Sequence, residues 1–419
     1  MTNLRESGAQ ESTGPFVRRE ISEENRAPLR NAVGSIRQIE TLEDAIQIRD
    51  VWNSIVSCQS ENILQLDVTS TFEWTEALWR SHLESKNQSV LLLEKEDEIA
   101  GIFPLMVSKC PVHRIPCRKI AFISEVYSGR CGFLLRDNSL DDLEAFVHYL
   151  FDQSPAWDVF SFTLVDGSKS ADLISELVKQ AGYQLEKVHR QESPFILLAG
   201  TWQNYFASLP KKFRWLLRDA EKKLKASGEL RYSEYSKGSD LEHFLTAMFQ
   251  IEQKSWKEEQ GSSITANERQ REFYTTLTAI AGQQGLLSCH LLELNREPIA
   301  YIYGLFFNGV FSDLKESYNI AYQSMSPGHA LKLFALQRLH ERGARLYDYM
   351  GVCEPYKMRW TDKTYVRSTY IIYNRTLPAF AARTSGMLVN YSRSVGERFH
   401  RVARIVSSLG EKTELRPGH

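Results

Sequence analysis

The sequence predicts a mixed α/β (α+β) fold in which mixed sheets are flanked by helices and the whole arrangement occurs twice. Three observations predict it. Helix-like and strand-like stretches alternate from Ile36 onward, which is typical of α/β layers rather than of a helical bundle or a β-sandwich. A hairpin pattern in the first half returns in the second half at a spacing of about one domain length. The 419 residues are too many for one ordinary domain and suit two, each with its own core.

The composition excludes several classes of protein. Apolar residues make up 42% and charged residues 25% of the chain, as in globular proteins. The 51 Lys and Arg residues nearly balance the 52 Asp and Glu residues, so no overall field attracts nucleic acid. The N-terminus lacks the apolar core of a signal peptide, and no apolar run approaches the length of a membrane span. We therefore expect a cytoplasmic protein with no nucleic-acid partner.

The six cysteines are scattered without a CxxC pair. Cys110, His113 and Cys117 lie close together, but a zinc site would need a fourth ligand at a recognisable spacing. We predict reduced, mostly buried thiols and no metal site.

Local patterns place the main elements along the chain. Residues 1–35 are polar and contain prolines, so we expect them to be disordered. In the first half, helices are predicted at Leu42–Cys58 and Thr75–Ser85, and strands at Ser89–Glu94, Ile99–Ser108 and Asp158–Leu164. In the second half, helices are predicted at Ser208–Ala226, Asp240–Glu258 and Gly328–Arg342, and strands at Leu286–Leu294, Ile299–Phe307, Val310–Tyr318, Leu346–Met350 and Tyr365–Tyr373.

One hairpin pattern of the first half occurs again in the second half. Leu93-Glu94 followed by Glu98-Ile99-Ala100 corresponds to Leu292-Glu293 followed by Glu297-Pro298-Ile299-Ala300. Each pattern predicts two strands joined by a polar turn, which contains Asp97-Glu98 in the first half and Asn295-Arg296 in the second. Any α/β protein can contain such a hairpin, but the spacing of one domain length favours a duplication.

The stretch from Glu316 to Trp360 carries the chemistry. A predicted strand ends at Glu316–Tyr318, and a turn then leads into a helix; the turn consists of Ser326, Pro327, Gly328, His329 and Ala330. A strand that enters a helix through a glycine turn leaves backbone N–H groups unpaired at the positive end of the helix dipole. These five residues are therefore candidates for binding a pyrophosphate, and the alternative is a plain helix start.

The residues after this helix resemble a known family. The matching positions are Asp348 on the next strand and Glu354, Tyr356, Lys357 and Trp360 in the loop that follows. Together with the Ser-Pro-Gly turn, they resemble the CelD (BcsL)-like acetyltransferase domain family of envelope and polysaccharide metabolism. The chain departs from the family at Tyr349, where the family has Phe, and at Gly351, which comes one place early.

The resemblance implies a tandem double acetyltransferase (GNAT) fold, which is related also to the Fem aminoacyltransferases. It implies an N-terminal domain at 36–200, a catalytic domain at 201–376 and a basic helical tail at 377–419. It also implies acyl-CoA or acetyl-CoA as co-substrate, with the Ser326–Ala330 turn in place of the glycine-rich loop that holds the pyrophosphate of coenzyme A. Because the turn lacks the usual Q/R-x-x-G-x-G/A form, acyl carrier protein and aminoacyl-tRNA stay open as donors.

Amide formation from a thioester needs a base for the ammonium proton, a polarised carbonyl and stabilisation of the departing thiolate. The candidate bases are Glu316 at a strand end, His329 beside the turn, and Asp348. Glu316 could instead form only a surface ion pair, and His329 could be an ordinary residue of the first helical turn. Asp348 could equally be structural and tie its strand to the following loop.

Other polar residues of the segment could assist. Tyr318 or Tyr356 could protonate the thiolate, although both could also be packing residues. Lys357 could bind a phosphate or an acidic group of the acceptor, or form only a surface salt bridge. Cys353 is a poor candidate for a nucleophile, because no His lies near it in the sequence and the family resemblance implies direct transfer.

Two segments are basic and amphipathic. In the helix at 208–226, one stripe is apolar (Phe213, Leu216, Leu217, Ala220 and Leu224) and the remaining surface carries seven Lys and Arg residues. The tail from Ala379 to Gly410 repeats the pattern with five Arg residues among apolar ones. The helix could contact anionic lipid headgroups, a carrier protein or the phosphates of the coenzyme, and the alternative is a solvated outer face. The tail could lie on a membrane, and the alternative is an ordinary docking helix.

The predicted function is an acyl-CoA-dependent N-acyltransferase that modifies an amine of cell-envelope metabolism. The acceptor would be an amino sugar of an exopolysaccharide, or a lipid or sphingoid amine as in bacterial ceramide synthesis. The protein would then work in the cytoplasm, with peripheral contact to the inner membrane. The alternatives are a Fem-like transfer from aminoacyl-tRNA and a non-catalytic subunit of a polysaccharide assembly.

Overall fold

The structure, a computed structural model, describes residues 34–58, 68–81, 88–137, 139–152, 156–238 and 240–388. The segment predicted to be disordered lies outside these residues except for its last two positions. The basic tail lies outside them beyond residue 388.

The first half forms strands and helices in alternation. Its strands are β1 (Ser35–Ile39), β2 (Gln88–Lys95), β3 (Glu98–Val112), β4 (Ile115–Phe122), β5 (Leu134–Leu135), β6 (Val159–Val165) and β7 (Gln184–Leu197). Its helices are α1 (Leu42–Ile46), α2 (Arg49–Cys58), α3 (Phe72–Ser81), α4 (Glu125–Ser128), α5 (Leu140–Asp152) and α6 (Lys169–Gln180). The sequence patterns found the hairpin β2–β3 and strand β6, merged α1 with α2, and missed β1, β4, β7, α5 and α6.

The second half repeats the alternation. Its helices are α7 (Trp202–Ser208), α8 (Lys211–Ser227), α9 (Leu241–Gln253), α10 (Trp256–Glu259), α11 (Glu268–Gln283) and α12 (Pro327–Glu341), and a further helix, α13, covers 377–388. Its strands are β8 (Leu230–Tyr235), β9 (Cys289–Leu294), β10 (Glu297–Phe307), β11 (Val310–Tyr318), β12 (Leu346–Asp348) and β13 (Thr364–Tyr373). The single helix predicted at Asp240–Glu258 breaks at Ser255, because the Ser255 hydroxyl accepts a hydrogen bond from the backbone N–H of Lys257 and caps α10.

All the strands of the described residues belong to one sheet. Apart from β5, which pairs with β3, the order is β1-β2-β3-β4-β6-β13-β7-β12-β11-β10-β9-β8. The two halves exchange their last strands, since β13 pairs with β6 of the first half and β7 pairs with β12 of the second. The predicted domain boundary at residue 200 stays a prediction, because the strands before and after this residue belong to one continuous sheet.

The turns support the duplication. Two hairpins in each half have two-residue loops in which both residues have positive φ, the type I′ geometry that matches the twist of paired strands. These loops are Glu96-Asp97 and His113-Arg114 in the first half, and Asn295-Arg296 and Asn308-Gly309 in the second. The first of them lies one residue earlier than the Asp97-Glu98 turn predicted from the sequence.

Each half also contains one parallel strand pair, β4 with β6 and β11 with β12. In the second half, the pairing covers only Val310–Ser312 and Leu346–Asp348. Beyond it, β11 continues to Tyr318, whereas the neighbouring chain turns away through Met350, which has a left-handed φ of 55°. The two strands therefore diverge and leave a gap in the sheet.

Apolar side chains cover both faces of the sheet in the second half. On one face, α8 and α12 bury residues such as Leu217 and Leu331 against Ile302. On the other face, α9 and α11 bury residues such as Phe244 and Phe273, and the same cluster contains Trp74 of α3 from the first half. The two halves thus share a core beside the gap. No helix of the described residues is long and apolar enough to cross a membrane.

Candidate active site

The gap between β11 and β12 contains a cavity of about 670 Å³. Strand β11 lines it with residues 313–318, and the chain after β12 lines it with residues 349–351. Helix α12 contributes residues from one face of the sheet, and α10 contributes Trp256 and Lys257 from the other. The cavity therefore passes through the sheet and offers two sides from which two substrates could approach.

A buried lysine and two carboxylates form the centre of the cavity. The Nζ of Lys332 lies 2.6 Å from Oε2 of Glu316 and 3.0 Å from Oδ2 of Asp313. Tyr347 donates a hydrogen bond of 2.6 Å to the same Asp313 oxygen, and the ammonium of Lys332 lies over the ring of Tyr349 at 4.3 Å. With 2% of its side chain exposed, Lys332 holds both carboxylates in place.

A β-bulge explains why both carboxylates reach the same lysine. Residues three apart in a regular strand point to opposite faces. In the pairing of β11 with β10, Lys315 lies opposite Tyr303, and Asp313 lies opposite the next residue, Gly304. Leu314 is therefore the extra residue of a β-bulge. Asp313 and Glu316 therefore both face α12.

The two carboxyl groups have pKa values shifted in opposite directions. Burial raises the pKa of Glu316, but the ammonium groups of Lys332, Lys357 and Lys257 outweigh burial and hold this pKa below its ordinary value. Burial, together with the neighbouring Glu316, raises the pKa of Asp313 despite Lys332. Glu316 is thus the carboxylate that stays ionised in this pair.

Several polar atoms of the cavity wall are buried without a hydrogen-bond partner. They are Oε1 of Glu316, the hydroxyl of Tyr349, Nε1 of Trp360 and Oγ of Ser317. Folded proteins pair nearly all buried polar groups, so unpaired ones need an explanation. Their concentration around one cavity indicates a site whose hydrogen bonds are completed by a ligand.

The turn before α12 borders the cavity, but it offers fewer free N–H groups than the predicted pyrophosphate site would need. Ser326, Gly328 and His329 line the cavity, whereas Pro327 and Ala330 do not. The N–H groups of His329 and Ala330 both donate to the carbonyl of Ser326, which adopts a left-handed conformation with φ 52°. Within this turn, Gly328 is left as the position for an anion contact, and a Cβ there would meet only the ring of Tyr318 at 3.5 Å.

His329 lies between aromatic rings at the edge of the cavity. Its ring is 5.4 Å from that of Phe213 and 5.9 Å from that of Trp360. Burial, followed by the charges of Arg359 and Lys332, lowers the pKa of His329 to about 4. The imidazole is therefore neutral at pH 7 and a weak base. The lowered pKa of Glu316 makes this carboxylate a weak base as well, so what favours Glu316 is its buried oxygen without a hydrogen-bond partner at the cavity.

Tyr318, Tyr356 and Lys357 also line the cavity. Burial, followed by the charges of Glu316 and Glu354, raises the pKa of the Tyr356 phenol well above its usual value, so the phenol keeps its proton. Lys357 pairs with Glu354 at 2.8 Å, and a Cβ at Gly351 would lie 2.8 Å from its Nζ. Gly351, which comes one place earlier than the glycine of the family pattern, therefore leaves room for the ammonium group of Lys357.

Asp348 does not line the cavity. It is fully buried, its Oδ2 lies 2.7 Å from Nη1 of Arg130, and the hydroxyl of Tyr365 donates to it at 3.2 Å. Its Oδ1 accepts the N–H of Met350 at 2.8 Å and so fixes the turn that bends away from β11. This geometry favours the structural interpretation of Asp348 over that of a base.

Four charged residues of the cavity were not predicted from the sequence: Asp313, Lys315, Lys332 and Lys257. One signal could have found Lys332, which lies at helical spacing among the buried residues Leu331, Ala335 and Leu336 of α12. A lysine inside an apolar stripe needs a buried partner. The other three have no such signal, because the bulge and the packing of α10 on the sheet bring them together.

The cysteine positions singled out in the sequence lie elsewhere. Nε2 of His113 hydrogen-bonds the hydroxyl of Tyr373 at 3.1 Å, and burial raises the pKa of the Cys117 thiol. Among the described residues, no group of three or more His, Cys, Asp and Glu could hold a metal ion. Cys353 does not line the cavity, and partial burial raises its pKa.

Residues 211–358 match the family described as acetyltransferase (GNAT) domain. The second half of this chain is therefore similar to an acetyltransferase domain of the GNAT superfamily. This confirms the superfamily and the acetyltransferase domain that the Ser-Pro-Gly turn and the following segment predicted. No curated protein sequence matches the chain significantly.

Solved structures share the fold of the described chain. The structure of FemX aligns with a TM-score of 0.56 at 12% identity and covers 82% of this chain and 99% of its own. A conserved protein of unknown function from Bacteroides thetaiotaomicron aligns with a TM-score of 0.51 at 11% identity, covering 81% of this chain and 100% of its own. At such identities the likeness shows the fold alone, and it confirms the predicted double acetyltransferase architecture.

Proposed function

We propose that the protein transfers an acyl group from acyl-CoA to the amine of an acceptor, with the cavity between β11 and β12 as its active site. The observation that carries the proposal is the ionised Glu316 carboxylate with an unpaired oxygen inside a cavity that passes through the sheet. A gap between diverging strands also leaves strand edges free, and an extended ligand can pair with such edges.

The donor would occupy the α12 side of the cavity. Gly328 lies at the start of α12, where the helix dipole favours an anion such as a pyrophosphate. On this side, Lys332 and Lys357 are already paired with carboxylates, so the phosphate contact would rest on the backbone at Gly328. Coenzyme A would supply both the phosphates and the reactive thioester.

Chain residues would carry the proton steps. As the amine nitrogen bonds to the thioester carbon and the C–S bond breaks, the nitrogen loses a proton, which Oε1 of Glu316 can accept. The departing thiolate can accept a hydrogen bond from the Tyr356 phenol, which keeps its own proton because its pKa is raised, and the thiolate then takes its proton from solvent. Lys332 would keep Glu316 ionised and oriented for this transfer.

The acceptor would enter from the α10 side. Trp256, Lys257 and Lys315 line this part of the cavity. Burial, followed by the charge of Lys257, lowers the pKa of Lys315 to about 8, and the structure gives Lys315 no ion-pair partner among the described residues. A partly desolvated ammonium group without a counter-ion favours an acceptor that carries an anionic group near its amine, such as a phosphorylated amino sugar or an amine-bearing phospholipid.

A peripheral contact with an anionic bilayer belongs to the same proposal. On α8, the predicted apolar stripe is buried except for the partly buried Leu216, and the opposite surface exposes Lys211, Lys212 and Lys222. Trp215 is 65% exposed between these cations, the combination that anchors proteins at membrane interfaces. Phe213 of the same helix contacts His329, so a bilayer bound at α8 would lie close to the cavity.

The test is transfer by the purified protein. Acyl-CoA donors of several chain lengths are offered with a panel of amino sugars, sphingoid bases and amine-bearing phospholipids, and released thiol and acylated product are measured. The Glu316→Gln variant should lower turnover by about 10²–10⁴, as for a lost general base, and should leave donor affinity unchanged.

The matched control is Glu221→Gln, because Glu221 pairs with Lys225 on the surface of α8 away from the cavity. It should keep wild-type turnover. Transfer from charged tRNA but not from acyl-CoA would replace the proposal with the Fem-like alternative. Absence of transfer from any donor would favour the non-catalytic alternative.

A further inference from the structure

The first half contains a gap at the position that the active-site cavity has in the second half. Strands β4 and β6 pair in parallel only at Lys119–Ile120 with Val159–Phe160, a contact even shorter than that of Val310–Ser312 in β11 with Leu346–Asp348 in β12. Beyond Phe160, the edge of β6 that faces β4 has lost its partner strand. A duplicated fold predicts a second cavity here.

This gap is filled by the chain itself. The segment 125–131, which follows β4, lies against the free edge of β6. The Thr163 N–H donates to the carboxylate of Glu125, and the Thr163 carbonyl accepts the N–H of Cys131 at 2.9 Å. Both groups of Thr163 point to the same side of β6, so these two bonds occupy the edge that a ligand would need. We call this segment the plug.

The plug also reaches the cavity of the second half. Tyr127 lines that cavity and packs on Phe273 of α11 with 4.7 Å between ring centroids. Arg130 makes the buried ion pair with Asp348, and Asp348 in turn holds the N–H of Met350. One plug residue therefore forms part of the wall, and another supports the turn that makes the opposite wall.

Hydrogen bonds within the plug and to β13 hold the plug against the sheet. The Ser128 hydroxyl lies 2.6 Å from the carbonyl oxygens of both Ser124 and Arg130 and can donate its one hydrogen to either. Arg367 of β13 donates to the carbonyls of Ser128 and Gly129 at 3.1 and 3.2 Å. Such bonds fix the position of Tyr127 and Arg130 relative to the sheet.

We infer that the plug closes the donor site of the first half and shapes the acceptor side of the active site in the second, with Tyr127 as a specificity-determining residue and Arg130 as a positioning residue. This inference rests on the proposed function. On this inference the first half contributes to catalysis through its structure. Its plug forms part of the cavity wall in the second half, and this wall selects the acceptor.

The first test counts donor sites by calorimetry with coenzyme A. One site per chain is expected, and Gly328→Glu, which fills the second-half site, should abolish it. A second site that survives in Gly328→Glu would overturn the inference while leaving the proposed function intact. No binding of coenzyme A to the wild type would contradict the proposed function instead.

The second test separates acceptor from donor kinetics. Tyr127→Ala should raise the KM for the acceptor about tenfold or more through loss of a packed aromatic contact, with the KM for acyl-CoA unchanged. Tyr232→Ala is the matched control, because Tyr232 stacks on Phe334 at 4.9 Å away from the cavity. Unchanged acceptor KM in folded Tyr127→Ala, or an equal change in both KM values, would overturn the assignment.

The third test concerns Arg130. Arg130→Met leaves a buried carboxylate unpaired and can fail to fold, so the double variant Arg130→Met, Asp348→Asn is compared with it. The double variant should fold but lower kcat, because the Met350 turn loses its charged anchor, and Arg130→Lys should restore part of the loss. Wild-type kcat in the folded double variant would show that the pair is structural only.

Discussion

Replacing Lys332 with Met is the perturbation that most directly tests the central ion pair. Lys332 is the cation that both Asp313 and Glu316 contact, and 2% of its side chain is exposed. Met has a similar length and no charge, so the change removes the ammonium group and adds little strain. The two carboxylates would then face each other in a buried site without this counter-ion.

The expected loss of stability is large. Removing one partner of a buried ion pair costs about 3–5 kcal/mol, because the remaining charge stays desolvated. Here one lysine serves two carboxylates, so the loss should lie at the upper end of that range. The exposed pair of Lys254 and Glu297 provides a matched control: its nitrogen and oxygen are also 3.0 Å apart, but the side chains are 54% and 39% exposed. Lys254→Met should cost no more than about 1 kcal/mol.

The loss should also depend on pH with a defined sign. Without Lys332, burial and mutual repulsion raise the folded-state pKa of the carboxyl pair above its unfolded value. The folded variant then binds more protons than the unfolded one, so its free energy of unfolding falls as the pH rises through the raised pKa. The stability difference from the wild type should be largest near pH 8 and shrink towards pH 5.

The assay is urea unfolding of wild type, Lys332→Met and Lys254→Met between pH 5 and 8, followed by fluorescence. Equal losses in the two variants would refute the assignment of a buried ion pair. A loss in Lys332→Met that is the same at pH 5 and pH 8 would refute the linkage argument.

Three further outcomes follow from the same site. Gly328→Glu should fold normally, since its Cβ meets only Tyr318 at 3.5 Å, and should abolish the binding of coenzyme A in calorimetry; unchanged affinity would remove the turn from the donor site. Because the pKa of Lys315 is lowered to about 8, the KM for an anionic acceptor should rise as the pH rises through about 8, and Lys315→Gln should lose this dependence; a wild-type profile in the variant would exclude Lys315. In liposome co-sedimentation, the protein should bind anionic rather than neutral vesicles, less at high salt, and the triple change of Lys211, Lys212 and Lys222 to Gln should weaken binding by about 1 kcal/mol per charge; equal recovery on both vesicle types would contradict the membrane contact.

Local sequence patterns predicted the elements whose signals are short-range. The hairpins β2–β3 and β9–β10 follow from alternating apolar residues around polar turns, and α12 follows from Ser-Pro-Gly before an apolar stripe. The same patterns placed Glu316 and Gly328 close in the chain and hence at one site. Strand β7 escaped prediction because most of its residues are exposed or only partly buried, which leaves it without the alternating apolar pattern of a strand.

The sequence by itself determined the superfamily and the double fold, because residues near one another in the chain carry those signals; the assignment of catalysis to the second half stays a prediction. Only the tertiary structure decided the chemistry of the cavity. Asp313 joins Glu316 because a bulge at Leu314 reverses the alternation of the strand. Arg130 meets Asp348 across 218 residues because the halves exchange strands and share a core. Neither event leaves a periodic trace in the sequence, since each depends on contacts between segments that are distant along the chain.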